Sequence, residues 1–129
     1  MEGNDYDSRY LGYFECFNRQ RFFEAHEVLE ALWLPQRQGR NGSFYKGLIQ
    51  LAGAFVHWQK SRPGPAAALF DLAQTHLQKY APNHEGLDVS GLLARIDQWR
   101  LEVAASDPGA CAPMPTGALE PQLARPRER

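Results

Sequence analysis

The fold is decided by residues 44–61, which read FYKGLIQLAGAFVHWQKS. Apolar side chains recur here at helical spacing, with Leu48, Leu51 and Phe55 on one side of a helix and Ile49 on another. A helix on a protein surface carries one polar face, whereas a helix that is apolar around most of its circumference is buried. The stretch therefore predicts the central helix of a helical bundle.

Four further segments show helical periodicity and are separated by turns and polar loops. Three of them span about residues 5–17, 21–34 and 66–80, and the last follows a cap formed by Asp88 or Ser90. No segment shows the strict alternation of apolar and polar residues that is typical of a half-buried strand. The sequence thus predicts an all-α fold, a compact bundle of about five helices with a central apolar helix, over residues 1–105.

The fourth helix has an apolar stripe that is expected to face the core. Its members, at helical spacing, are Leu69, Leu72, Ala73, His76, Leu77 and Tyr80. A lone histidine in such a stripe is expected to be a core residue whose hydrogen bonds are satisfied. His84, in the polar loop that follows, belongs to no group of polar residues in the sequence.

The composition limits the classes of partner. The 129 residues carry a net charge of -1, and the 14 basic residues form no block, so no nucleic-acid partner is expected. The apolar stretches are too short to span a bilayer, so no membrane association is expected. Two cysteines, Cys16 and Cys111, form neither a disulfide framework nor a zinc motif, which favours free thiols and a cytoplasmic location.

Residues 106–129 differ in composition from the rest of the chain. Large apolar residues are few and prolines are frequent, namely Pro108, Pro113, Pro115, Pro121 and Pro126. Such a segment cannot bury enough apolar surface to fold. It is predicted to be a Pro-rich, disordered tail outside the helical bundle.

The second helix contains the run FFEAHEVLEALW at residues 22–33, which places ionisable groups in an apolar stripe. Phe22, His26, Glu30 and Trp33 fall within one arc of roughly 100° on a helix, which is the width of a core-facing stripe. An unpaired ionisable group in a low-dielectric interior is costly. His26 and Glu30 are therefore expected to meet partners inside the bundle.

Gln50 and His57 are expected to provide those partners from the central helix. They are seven residues apart and so share one line on its surface. Gly47 lies on the same line, where its missing side chain leaves room. A polar pocket is predicted here, with His26 and Glu30 on the facing wall.

The candidate site residues fall into two groups. The candidate catalytic residues are His26, Glu30 and Glu27. The candidate ligand-binding residues are Trp33, Gln50, His57 and Gly47. Glu27 lies at the edge of the stripe, where it could act as a base or remain a solvated charge.

Such a pocket could take a divalent ion or a small molecule. Gln50 and His57 stand about 10.5 Å apart along the helix axis, so one ion cannot bind every candidate. A metal site would use His26 and Glu30 with one of Gln50, His57 or His76. Without a metal, Glu30 would orient His26 for hydrolytic or acid–base chemistry on a small molecule.

The alternative is a non-enzymatic protein-interaction module of the helical-hairpin type. In that interpretation small residues let the helices approach closely, and the same polar residues form a structural hydrogen-bond network. Similarity to tetratricopeptide-type hairpins, carried by Gly12, Phe22, Ala25 and residues 68–82, favours this alternative. However, no repeat with the period of about 34 residues that is typical of such arrays is sustained.

Several segments in a fixed order also resemble a known family. They are residues 17–33, residues 46–52 with His57, and the sequence GLDV at residues 86–89. Over residues 11–99 the chain resembles the family catalogued as domain of unknown function 309. The matched positions are His26, Glu27, Glu30, Trp33, Gly47, Gln50 and His57. The resemblance implies an all-helical bundle and carries no established activity.

Overall fold

The computed structural model describes residues 6–105, and within them the chain is mostly helical. Its five α-helices are α1 Ser8–Asn18, α2 Phe22–Trp33, α3 Gly42–Gln59, α4 Pro63–Leu77 and α5 Val89–Ala104. The shorter elements are the 3₁₀ turns Leu34–Gln36 and Gln78–Tyr80 and the strands β1 Asn83–His84 and β2 Leu87–Asp88. The predicted all-α bundle of about five helices is therefore confirmed. The tail predicted at residues 106–129 lies outside the described residues.

The third helix lies at the centre of the bundle, as its sequence predicts. It packs against α2 and α4, while α1 packs against α2 and α5 packs against α4. Leu48, Leu51 and Ala54 of α3 are completely buried. Burial of apolar surface stabilises such a bundle by about 25 cal/mol per Å². In the described part of the chain, no helix is both long enough and apolar enough to cross a membrane.

Aromatic side chains fill the core around Phe55 of α3. The centroid of its ring lies 4.8 Å from that of Phe22 in α2 and 4.9 Å from that of Trp99 in α5. Phe17 of α1 and Phe70 of α4 contact the same ring at centroid distances of 5.4 Å and 5.3 Å. One side chain of the central helix thus contacts all four of the other helices.

A buried hydrogen bond also ties α1 to α3. The hydroxyl of Tyr13 donates to the carbonyl oxygen of Leu48 at 2.6 Å. Burial raises the pKa of the Tyr13 hydroxyl well above its usual value, so the group stays protonated. A buried hydroxyl that loses its partner costs free energy, and the bond therefore favours one rotation of α3 about its axis.

Two of the helix starts follow from local chemistry. Asp88 caps α5, as predicted, because its Oδ1 accepts a hydrogen bond from the backbone N–H of Gly91 at 2.9 Å. The fourth helix begins at Pro63, earlier than predicted. Proline suits the first turn of a helix because its φ is already helical and it has no N–H to leave unpaired.

The segment between α4 and α5 contains a small hairpin that the sequence did not predict. The strands β1 and β2 are antiparallel, with His84 opposite Leu87. Glu85 and Gly86 turn the chain with positive φ angles of 49° and 75°, as in a tight two-residue hairpin. Strands of two residues are too short to show an alternating pattern, so periodicity could not reveal them.

The inner stripe of α4 is rotated from the predicted one. Ala66, Phe70, Ala73 and Leu77 are fully buried, whereas Leu72 is 45% exposed. Apolar residues form two overlapping stripes on this helix. The stripe that faces the core is the one that carries Phe70, because its ring fits against Phe55 of α3.

Candidate functional site

A cavity of about 350 Å³ lies between α2, α3 and α4. The second helix contributes Phe23 and His26 to its wall, and the fourth helix contributes Leu69. The other lining residues all belong to α3, namely Lys46, Ile49, Gln50, Gly53, Val56 and His57. Their spacing places them on one stripe of the helix. The cavity therefore follows the central helix along much of its length.

His26 and His57 contribute imidazole rings to the cavity wall. In both rings Nδ1 is buried and has no hydrogen-bond partner. A buried N–H without a partner is rarer than a buried acceptor without one, so we assign the proton of the neutral ring to Nε2. The Nε2–H group is then the one through which each ring can bond to a ligand.

Gln50 is held in place by His76 of α4. Nδ1 of His76 donates a hydrogen bond to Oε1 of Gln50 at 2.7 Å. This bond uses the acceptor of the amide and leaves its NH₂ group free to donate. His76 therefore has a satisfied Nδ1, as predicted, and it orients the Gln50 amide in the cavity wall.

Lys46 is the one charged residue that lines the cavity in the described part of the chain. Its Nζ atom lies 4.6 Å from the centroid of the Trp33 ring. This cation–π contact between α3 and α2 restrains the ammonium group. Trp33 does not line the cavity itself and contacts the site through Lys46.

The rest of the cavity wall is apolar. Ile49, Val56 and Leu69 supply aliphatic surface, and Gly53 has no side chain to occupy the space. Phe23 is 56% exposed, and its ring stacks on that of His26 with the two centroids 6.1 Å apart. A mostly apolar wall with a few placed polar groups is the usual composition of a small-molecule site.

The electrostatic surroundings of two imidazoles near the cavity are positive. Burial lowers the pKa of His57, and the nearby charges of Arg62 and Lys60 lower it further. Burial also lowers the pKa of His76, again with help from a cation, Lys79. Both imidazoles are therefore neutral at pH 7 and can act as neutral hydrogen-bond partners.

The structure brings three of the predicted site residues together on the cavity wall. They are His26, Gln50 and His57. The other four predicted residues, Glu27, Glu30, Trp33 and Gly47, do not line the cavity. Three of the seven candidate residues therefore line one cavity, which is a narrower set than expected.

Glu30 does not orient His26 through Nδ1, because that nitrogen has no hydrogen-bond partner. Glu30 is half-buried, whereas Glu27 is exposed to solvent. Both carboxylates belong to α2 and stand beside the cavity wall rather than on it. Neither acidic candidate therefore contributes a carboxylate to the cavity wall.

Gly47 lies at the contact between α3 and α4. A Cβ atom at this position would stand 2.7 Å from Cγ of Leu77 and 3.2 Å from Cβ of His76. Such a contact is too close for a side chain to be accommodated without movement. The glycine thus lets α4 approach α3 closely enough for His76 to reach Gln50.

The metal site considered from the sequence is not assembled. Within residues 6–105, no three His, Cys, Asp or Glu side chains are grouped so that they could hold a metal ion. The physical reason is that Glu30, the expected carboxylate ligand beside His26, does not reach the cavity wall.

Two polar residues of structural interest were not predicted. Lys46 is one. It stands four positions before Gln50, so the helical spacing already placed it on the same stripe of α3. His84 is the other, and its Nε2 lies 2.7 Å from Oδ1 of Asn41. Asn41 in turn donates to the carboxylate of Glu85 at 2.9 Å.

The His84 network fastens the hairpin to the start of α3. The imidazole packs between aromatic rings, with centroids 4.7 Å from Phe44 and 4.6 Å from Tyr80. Burial lowers the pKa of His84. Because Asn41 and His84 are 43 residues apart in the sequence, their spacing could not indicate the contact.

The fold and the cavity define a small helical-bundle protein with a mostly apolar cavity beside its central helix, into whose wall a few polar groups are set. Comparison with protein families gives a match to the family described as "Domain of unknown function (DUF309)", over residues 10–69. The match confirms the resemblance seen in the sequence over this segment. The segment contains every residue that lines the cavity. Among curated proteins and among solved structures, no significant match to the chain was found.

Proposed function

We propose that this protein binds a small organic molecule in the cavity between α2, α3 and α4. His26, Gln50 and His57 would contact the ligand through hydrogen bonds, and Val56 and Leu69 would contact its apolar part. The observation that carries the proposal is the cavity itself, about 350 Å³ in volume and lined by polar groups from two helices. Small-molecule sites in proteins have volumes of about 300–1,000 Å³.

The state of the polar groups supports binding over a purely structural network. A structural network would pair His26 and His57 with each other or with neighbouring side chains. Instead, Nδ1 of each ring is buried without a partner, and the partner of Gln50 is His76. Neither ring is therefore held by a structural hydrogen bond at its buried nitrogen.

The same arrangement supports binding over acid–base catalysis. A general base must present an unprotonated atom to the substrate. The tautomers assigned to His26 and His57 present N–H groups, and no carboxylate of residues 6–105 lines the cavity. The proposal is therefore a binding function, with no reaction assigned to it.

The proposal can be tested with a variant that fills the cavity. Val56→Phe adds an aromatic ring to the cavity wall, and Leu101→Phe makes the same kind of change at a residue of α5 that is 66% exposed. A library of small organic compounds is added to each ¹⁵N-labelled protein, and the amide signal of Gly53 is followed by NMR. We expect some compounds to shift this signal in the wild type and in Leu101→Phe, and none to do so in Val56→Phe.

Two results would contradict the proposal. One is that no compound in the library shifts the Gly53 signal of the wild type. The other is that Val56→Phe, while folded as judged by its NMR spectrum, binds the same compounds as tightly as Leu101→Phe does.

A further inference from the structure

The polar groups on the cavity wall share one property, which is that they donate hydrogen bonds. The ammonium group of Lys46 has donors only. The amide of Gln50 has its Oε1 engaged by His76, which leaves the NH₂ group. The rings of His26 and His57 offer Nε2–H, as assigned above from their buried Nδ1 atoms. A ligand that matches this wall must therefore supply acceptors.

The charges around the cavity favour an anion as that acceptor. Among the described residues, Lys46 is the one charged side chain on the wall, and neither Asp nor Glu lines it. The whole chain has a net charge of -1, so the positive charge on this wall is a local property of the site.

The order of residues along α3 gives the site two different ends. Lys46 and Gln50 are one turn apart, and His57 is about 10.5 Å further along the helix axis. Gly53 and Val56 lie between them and offer no polar side chain. The ammonium group of Lys46 and the amide of Gln50 therefore stand together at one end, and an apolar stretch separates them from His57.

We infer that the ligand is an organic monocarboxylate with an apolar body. Its carboxylate lies against Lys46 and Gln50, and its body lies over Gly53 and Val56 toward His57. This inference rests on the proposed binding function. A carboxylate is favoured over a phosphate because one ammonium group lines the wall, whereas a phosphate monoester carries a charge of about -1.5 to -2 at pH 7.

A pair of probes with different head groups tests the inference. 4-Phenylbutanoate and its uncharged amide, 4-phenylbutanamide, have the same body and nearly the same shape, but the amide has no charge and replaces one acceptor oxygen by an NH₂ donor. Their dissociation constants are measured from the Gly53 amide signal in NMR titrations. We expect the carboxylate to bind at least about tenfold more tightly than the amide, because a hydrogen bond to a charged group is the stronger one.

Lys46→Gln and Lys60→Gln provide a matched pair of variants. Both remove one positive charge, but Lys46 lines the cavity and Lys60 is an exposed residue just beyond α3. We expect Lys46→Gln to remove most of the preference for the carboxylate, and Lys60→Gln to keep most of it.

The outcomes separate the inference from the proposal on which it rests. Equal binding of the two probes at the Gly53 signal, or an equal loss in the two variants, would overturn the inference and leave the binding function in place. The inference is also overturned if neutral compounds shift the Gly53 signal and the carboxylate does not. A cavity that binds neither these probes nor any library compound would overturn both.

Discussion

Nδ1 of His76 lies 2.7 Å from Oε1 of Gln50, so a single hydrogen bond joins α4 to α3 beside the cavity. Removing one partner leaves the other unpaired in a partly buried position, whereas removing both leaves no polar group without a partner. We expect His76→Leu to lower the free energy of unfolding by about 1 kcal/mol, and the addition of Gln50→Leu to recover part of that loss. Urea denaturation of the two single variants and the double variant measures the coupling. Strictly additive effects would show that the bond contributes nothing.

The close contact at Gly47 leads us to expect that two glycine-to-alanine substitutions change the free energy of unfolding differently. In Gly47→Ala the new Cβ meets Leu77, which is fully buried and cannot move aside freely. We expect a net loss of about 1–2 kcal/mol, because overpacking outweighs the gain in helix propensity. Thermal or urea denaturation measures the change.

Gly12→Ala is the control for that substitution. Gly12 is also helical, and an added Cβ atom would meet only Cγ2 of Val28 at 3.9 Å, which is an ordinary van der Waals contact. This variant should be unchanged or more stable by up to about 1 kcal/mol. A Gly47→Ala protein as stable as Gly12→Ala would show that α3 and α4 are not tightly apposed at Gly47.

The contact between Lys46 and Trp33 predicts a measurable coupling. The ammonium group lies 4.6 Å from the centre of the indole ring, and cation–π contacts at partly exposed sites contribute about 0.5–1 kcal/mol. A double-mutant cycle with Trp33→Leu and Lys46→Met should give a coupling energy of this size in urea denaturation. A coupling energy of zero would mean that Trp33 does not restrain Lys46.

The histidines predict how stability depends on pH. The pKa values of His57, His76 and His84 are lowered from 6.5 in the folded protein, chiefly by burial. As the pH falls through 6.5, the unfolded chain therefore takes up more protons than the folded one, and the free energy of unfolding decreases. The pKa of Asp7 is lowered from 3.8 by hydrogen bonds from Arg9, so its contribution is lost only at more acidic pH.

A substitution isolates one of these contributions. Urea denaturation at about pH 7.5 and about pH 5.5 should show a smaller loss of stability for His57→Gln than for the wild type. The two proteins differ at this one residue, so the difference between their losses reports on His57. Equal losses in the two proteins would contradict the lowered pKa of His57.

Much of the fold could be predicted because the spacing of apolar residues within each segment indicates a helix and its buried side. The central position of α3 follows from Leu48, Leu51 and the other apolar residues around its circumference. The orientation of α4 does not follow in this way, because Leu72 and Phe70 lie on two overlapping stripes. The choice between them depends on Phe55 of α3, a contact that periodicity within one helix cannot reveal.

The candidate site could be predicted in part for the same reason. His26, Gln50 and His57 share stripes with apolar residues, so their inward direction was visible in the sequence. Glu30 lies only about 40° from His26 around the helix, yet the cavity is narrower than the stripe and does not include it. Lys46 was missed because lysine is usually solvated, and its place on the wall depends on the neighbouring Trp33.

The hydrogen bond from Tyr13 to the carbonyl of Leu48 has a consequence for a site that α1 does not touch. This hydrogen bond fixes the rotation of α3 about its own axis. It therefore determines which residues of α3 face α2 and α4. A turn of one residue, about 100°, would take Gln50 off the wall and bring Leu51 to its place. The first helix, remote from any ligand, thus selects the chemical character of the cavity.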